Sequence, residues 1–319
     1  MRTDRMIHPK IQEAAIPGHA YHQAVVVIPA YNEERFIGSV ILRALKLVDT
    51  IIVVDDGSMD ATAEVAQAAG AIVMHHERNK GKGVALNTGF CYARKLEPEM
   101  VITLDADGQH IPEEIIQLSA PIRAGIADIV VGSRYLEKTS RVPLHRIWGH
   151  RFFNIMTGQA SGLSLSDSQS GFRAFSRRAL ETITFKSNGF SVESEMQFLA
   201  FEKKLNVVEV PITIHYTDKP KRSVIVHGLI VLNGIMHLVG QYRPLFFLGL
   251  TGIFLIAAGL VLALPVIRIY RASQVIPLGY FLISVALSLS GLFSLFTGII
   301  LHSVRGLLLD LLRKGESTA

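Results

Sequence analysis

Cysteine is almost missing from this chain. Cys91 is the single one in 319 residues, so no internal disulfide is possible and a reducing, cytosolic setting is favoured. In its helix-forming surroundings it reads as a small packed hydrophobe, not a nucleophile. Charge is scarce too: 18% of residues are charged against 49% hydrophobic, with 32 basic and 27 acidic side chains giving +5. A basic excess suits an anionic membrane surface or a nucleic acid. The positive charge is spread along the chain and no nucleic-acid-binding motif accompanies it, so no nucleic acid partner is expected. The first 22 residues mix proline, histidine and charge without the apolar core of a signal peptide. They are expected to form a flexible extension.

Two segments carry no charge at all, 245–267 and 278–301. Each is long enough to cross a bilayer, and neither has the polar face of a soluble helix. The short connector 268–277 makes them a hairpin, with both chain ends on one side. Basic residues flanking the pair, Lys219, Lys221, Arg222, Arg243, Arg305, Arg313 and Lys314, outnumber Arg268 and Arg271 in the connector. That bias predicts cytoplasmic termini and a catalytic domain on the cytoplasmic face of the cell membrane or an endomembrane. The domain boundaries expected are 1–22, 23–222, an interfacial helix 223–243, the hairpin 244–304 and a tail 305–319.

The first half alternates strand and helix signals. Apolar runs end on Pro29-Ala30-Tyr31-Asn32-Glu33 and on Val54-Asp55-Asp56-Gly57-Ser58, as strands buried on both faces do. Asn32 is expected to cap the helix after the first, and Ser58 or Asp60 the alanine-rich helix that stops at Gly70. Strand 71–74, helix 83–96, strand 100–105, helix 112–124 and strand 128–133 follow. The fold class is α/β, a largely parallel Rossmann-like sheet whose ligands bind at the strands' carboxyl ends. A third strand end, Val101-Ile-Thr-Leu-Asp105-Ala106-Asp107-Gly-Gln109-His110, sets two carboxylates one residue apart. Residues i and i+2 of a strand share a face, so the two can converge on one hard cation that completes its shell with water and phosphate oxygens.

In this order Val27-Ile-Pro29-Ala-Tyr31-Asn-Glu33, Val-Val54-Asp-Asp56-Gly-Ser, Asn79-Lys-Gly-Lys82-Gly, Asp105-Ala-Asp107 with Gln109, and Gly132-Ser-Arg134-Tyr resemble the inverting family 2 glycosyltransferases of GT-A fold. More narrowly they resemble the dolichyl- or polyprenyl-phosphate sugar synthases, over residues 23–225. The resemblance implies a UDP- or GDP-sugar donor, a dolichyl or polyprenyl phosphate acceptor in the lipid bilayer, and Mg²⁺ or Mn²⁺. It implies that Pro29, Tyr31, Glu33, Val54, Asp56, Lys82, Asp105, Ala106 and Arg134 bind the nucleotide sugar, Asp56 through base or ribose. Asp105, Asp107 and Gln109 would position the metal. Asp107, Asp167 and Arg134 would serve catalysis, and Arg146, Lys219, Lys221 and Arg222 the acceptor phosphate. The segment 216–224 departs from the family pattern by lacking glycine while keeping its positive charge. The lone Trp148, in Arg-Ile-Trp-Gly, lacks the Gln-x-x-Arg-Trp context of a processive polysaccharide synthase. Extension of a lipid-linked saccharide and a silent nucleotide-binding scaffold stay open as alternatives, as do the sugar and the base.

Overall fold

The computed structural model describes residues 23–136, 151, 154–155, 157–158, 161–186, 192–215, 233 and 244–316. Its centre is one seven-stranded sheet: β1 (Ala24–Ala30), β2 (Thr50–Asp55), β3 (Ile72–His75), β4 (Met100–Thr103), β5 (Ile129–Ser133), β6 (Arg173–Ser176) and β7 (Val207–Pro211), in the order β3-β2-β1-β4-β6-β5-β7. β6 alone of these runs antiparallel, against β4 and β5. Because it is reversed, its first residue lies level with the carboxyl ends of its neighbours. The loop before it therefore delivers residues 166–172 to the edge where the polar motifs end.

The apolar runs alternate faces as strand geometry demands. Val26 and Ile28 of β1 join a core with α1 (Glu34–Ala44), α2 (Thr62–Ala68) and α4 (Ile115–Arg123). Val25 and Val27 face α3 (Lys82–Lys95), α5 (Arg177–Thr182) and α6 (Val192–Glu202). The predicted helix 112–124 divides into a 3₁₀ turn, Pro112–Glu114, and α4. Cys91 is exposed on α3 and not packed as expected, because it lies away from the Phe90 and Ala93 positions that face the sheet.

Capping differs from expectation in an instructive way. Asn32 is not the cap of α1: it takes a left-handed conformation, φ 54°, and its side chain accepts from Met59 N–H at 2.9 Å. The following loop caps α1 in its place. Ser58 Oγ accepts from Asn32 N–H, Thr62 Oγ1 from Glu33 N–H and Asp60 from Glu34 N–H, so the first N–H of the helix and the two before it are satisfied from another part of the chain. Asp60 also accepts from Thr62 N–H at the start of α2.

Beyond residue 243, α7 (Pro244–Ser273) and α8 (Leu278–Glu316) form the hairpin. Both are long and apolar enough to cross a membrane, and they bury little of their surface in the protein. The first helix continues past 267, so the turn is only 274–277, and the second runs on as helix through most of the segment expected as a tail. Small residues line the seam. A Cβ on Gly252 would meet Gly291 O at 2.6 Å and Leu295 N at 2.9 Å, so the two backbones touch, as small-residue seams allow in lipid. Gly252→Leu is expected to wedge the hairpin apart and lower the detergent-solubilised protein's thermal midpoint. Gly279→Leu, where nothing lies within 4 Å of the added carbon, should leave that midpoint unchanged.

Candidate active site

The carboxyl ends of β1, β2 and β4 and the loop before β6 meet in one polar cluster. Asp105 follows β4 and receives the Lys82 ammonium at 2.6 Å. Lys82 opens α3 and also reaches Glu193, in the first turn of α6, at 2.7 Å. Burial works against the lysine's charge, yet Asp105 and Glu193 outweigh it and raise its pKa above the ordinary value. Burial likewise pushes the Asp105 carboxyl up, but Lys82 and then His110 more than reverse this and leave it below the usual range.

Asp107 behaves oppositely. Burial and then the neighbouring Asp105 charge push its carboxyl up. Gln109 braces it twice, with backbone N–H to Oδ1 at 3.0 Å and side-chain amide to Oδ2 at 2.7 Å. That bond is made by the amide nitrogen, and it is the amide oxygen of Gln109 that a cation would take. His110 stacks near Phe172 with ring centroids 5.1 Å apart. Its Nδ1 lies 3.8 Å from Asp105 Oδ2 and has no hydrogen-bond partner among the described residues. Burial lowers the imidazole's pKa against the pull of both carboxylates.

The donor set fits a hard divalent cation: two oxygen-bearing side chains from one strand end, one of them under-compensated for its charge. Among the described residues no three His, Cys, Asp or Glu side chains form a complete cage. The protein therefore offers part of a coordination shell, as sites that share Mg²⁺ with substrate phosphates do.

On the other flank Arg134, just after β5, grips Asp167 with two parallel bonds, Nε to Oδ2 at 2.5 Å and Nη2 to Oδ1 at 2.6 Å. Asp167 is fully buried, and its backbone N–H donates to Glu209 of β7. Both were expected to serve catalysis; the structure brings them together, and a bidentate pair fixes both.

Other expectations fare unevenly. Tyr31 is 40% exposed at the mouth of the cluster, while Ala106 beside the acidic pair is buried. Val54 has no exposed surface and packs in the core with α3, so its side chain cannot touch a ligand. Asp56 is 3% exposed and already engaged by His76 at 2.7 Å, Lys80 N–H at 3.0 Å and Gly81 N–H at 2.7 Å. These bonds hold the loop that presents Lys82. Pro29 is the last residue but one of β1, and Glu33 immediately precedes α1, two residues after Tyr31. Arg146, Lys219, Lys221 and Arg222, with the expected interfacial helix 223–243, lie outside the described residues. Glu193 and His110 were missed as site residues. Glu193 had a signal: it sits with Glu195 just ahead of the apolar run Phe198-Leu199-Ala200 in Val-Glu-Ser-Glu-Met-Gln-Phe-Leu-Ala.

Comparison with known proteins points one way. The family model described as glycosyl transferase family 2 matches residues 25–184. A UDP-N-acetylglucosamine–dolichyl-phosphate N-acetylglucosaminyltransferase of Methanococcus voltae is 35% identical over 215 residues, covering 60% of this chain and 86% of its own length. A polyprenol monophosphomannose synthase of Mycolicibacterium smegmatis is 31% identical over 204 residues, 60% of this chain and 77% of the relative. Among solved structures, glucosyl-3-phosphoglycerate synthase from Mycobacterium tuberculosis in complex with Mg²⁺ and uridine diphosphate superposes with a TM-score of 0.56 at 25% identity, over 69% of this chain and 80% of that one.

Proposed function

The chain belongs to glycosyl transferase family 2 and is a glycosyltransferase, and from that premise we propose that it moves a hexose from a UDP- or GDP-sugar to dolichyl or polyprenyl phosphate at a membrane. The observation that carries the lipid acceptor is a physical link between hairpin and site. Arg305 of α8 bonds Glu202 at 3.3 Å, and Glu202 ends the same helix, α6, whose first turn supplies Glu193 to Lys82. Relatives acting on dolichyl and polyprenyl phosphates support the same reading.

The acceptor phosphate needs little activation, because its second pKa should be about 6 and it is already anionic at neutral pH. Catalysis then rests on holding that phosphate in line and on offsetting charge that builds on the departing nucleoside diphosphate. Asp105 and Asp107 would hold Mg²⁺ or Mn²⁺, which supplies Lewis-acid stabilisation of the leaving oxygen. Gln109 keeps Asp107 oriented. Lys82 adds a second positive charge at the same strand end, and Tyr31 offers an exposed ring beside it. Arg146, Lys219, Lys221 and Arg222 are assigned to the acceptor phosphate by family resemblance. The flanking basic residues favour both termini in the cytoplasm, where sugar nucleotides are.

With its carboxylate gripped by Arg134, Asp167 acts as a positioning group. Asp167→Asn is expected to lower turnover about tenfold to a hundredfold by misplacing Arg134, without removing an acidic limb from the pH–rate profile. A lost limb would identify a general base.

The test of the function is a screen of UDP- and GDP-sugars on the full chain in detergent. Nucleoside diphosphate release that depends on added polyprenyl phosphate is expected. Release that requires a lipid-linked saccharide would replace this reading with chain extension, and no release with either acceptor would leave a nucleotide-binding scaffold.

A further inference from the structure

Lys82 is placed where it competes with a cation. Its ammonium holds Asp105 Oδ1 at 2.6 Å, and the carboxylate has little room to turn away. A Cβ on Gly171 would lie 2.6 Å from Asp105 Oδ2, 2.7 Å from Oδ1 and 2.8 Å from Lys82 Nζ. The ion pair thus lies flat against the Gly171 backbone, and a metal reaching Asp105 must share a carboxylate whose Oδ1 the ammonium already holds. An alternative berth exists for that ammonium. Glu193 Oε1 already accepts it at 2.7 Å, and Glu193 Oε2 is buried with no hydrogen-bond partner among the described residues. An ammonium has three donors. Released from Asp105, it can stay on Glu193 and turn a freed N–H outward.

We propose that Lys82 is an exchangeable counter-ion: it neutralises Asp105 in the empty site, yields that oxygen when the divalent cation arrives with the nucleotide, and pivots on Glu193 to meet the diphosphate. This rests on the donor and cation named under the proposed function and adds the step by which the site accepts them. No covalent bond changes. The charge balance explains why cation and nucleotide should enter together. A divalent cation alone faces the nearby ammonium across a few ångströms, an unfavourable contact at low dielectric, whereas a diphosphate beside them offsets both positive charges. Binding of Mn²⁺ and of nucleoside diphosphate is then mutually reinforcing, and the coupling is reciprocal. Glu193 is a positioning residue in this scheme, since it reaches the ligands only through Lys82.

The test measures Mn²⁺ binding by electron paramagnetic resonance on the full chain in detergent, alone and with saturating UDP or GDP, together with nucleotide affinity at saturating Mn²⁺. Lys82→Met is expected to bind Mn²⁺ alone about tenfold tighter than wild type and to bind nucleotide at saturating Mn²⁺ about tenfold weaker. Glu193→Gln keeps an acceptor oxygen but removes the charge of the second berth, shifts the ammonium toward Asp105, and is expected to bind Mn²⁺ alone severalfold weaker. The opposite signs matter, because general damage to the site would weaken Mn²⁺ binding in both variants. If Lys82→Met does not fold, as judged by its thermal midpoint, Glu193→Gln decides: unchanged Mn²⁺ affinity overturns the exchange. Unaltered Mn²⁺ affinity in Lys82→Met, or unaltered nucleotide affinity at saturating Mn²⁺, overturns it too. Absence of Mn²⁺ binding in every chain, with or without either nucleotide, overturns the cation reading itself and the exchange with it. Failure to transfer sugar to polyprenyl phosphate, with these binding differences intact, would overturn the acceptor assignment alone.

Discussion

Asp107→Ala should lose on the order of a thousandfold in turnover while keeping its fold. The fold should survive because the bonds of Asp107 are local. Burial and then Asp105 disfavour its ionised form, and its side chain accepts from the backbone N–H and the amide of Gln109, two residues on. Removing it relieves repulsion with Asp105, so the variant's thermal midpoint should stay level or rise. Turnover collapses because the remaining carboxylate, Asp105, is already shared with Lys82 and cannot hold a cation in one orientation. A linked pH effect follows from the direction of the shift. Since the carboxyl titrates above its ordinary range, lowering the pH should weaken Mn²⁺ binding to the wild type sooner than an unperturbed aspartate would allow. Activity assays with added Mn²⁺ and calorimetric melting check both halves. Full activity of Asp107→Ala, or of wild type in excess chelator, removes the cation from the mechanism.

A chain ending at residue 243 should lose most of its transfer to long-chain polyprenyl phosphate, by about a hundredfold or more, while retaining nucleotide binding. The residues assigned above to the nucleotide and its cation, Tyr31, Lys82, Asp105 and Asp107, all precede the hairpin, at strand ends of the sheet and the start of α3. On the proposed reading the hairpin keeps the site beside a bilayer to which the acceptor's tail is confined, an effective-concentration gain of ~10²–10⁴. A short, water-soluble prenyl phosphate escapes that confinement, so its transfer should fall far less. Comparing both acceptors with both chains gives the answer. Equal losses would mean that α8, through Arg305 and Glu202, shapes the catalytic centre itself, and tethering would have to be dropped.

What could be read from the sequence follows from where the physics is local. β1, β2 and β4 are apolar runs closed by polar residues, and the two spans are uncharged over their whole lengths, so neighbours along the chain reveal them. β6 escaped because it is four residues long and starts with the buried Arg173. A charge at that position argues against a central strand until its partners, the carbonyls of Ser168 and Ser170 and the sulfur of Met196, are in view. The Asp105 pair was legible because both carboxylates belong to one strand end, whereas Glu193 reaches Lys82 only once α6 has packed across the sheet. Val54 shows the converse limit. A motif names side chains that build the core behind a site as well as those that reach a ligand.

The length of α8 has a geometric consequence. Its 39 residues span about 58 Å, nearly twice a hydrocarbon core of about 30 Å. The surplus stands outside the bilayer as a rigid post, and Arg305 on that post meets Glu202. A post of this kind fixes two coordinates at once, the height of the sheet's carboxyl edge above the lipid headgroups and its azimuth around the helix axis. Each residue added between the span and Arg305 would raise the contact by about 1.5 Å and swing it by about 100°. The helix is thereby a spacer with a phase as well as a length, and only insertions near a whole number of turns would keep the catalytic edge facing the same way over the membrane.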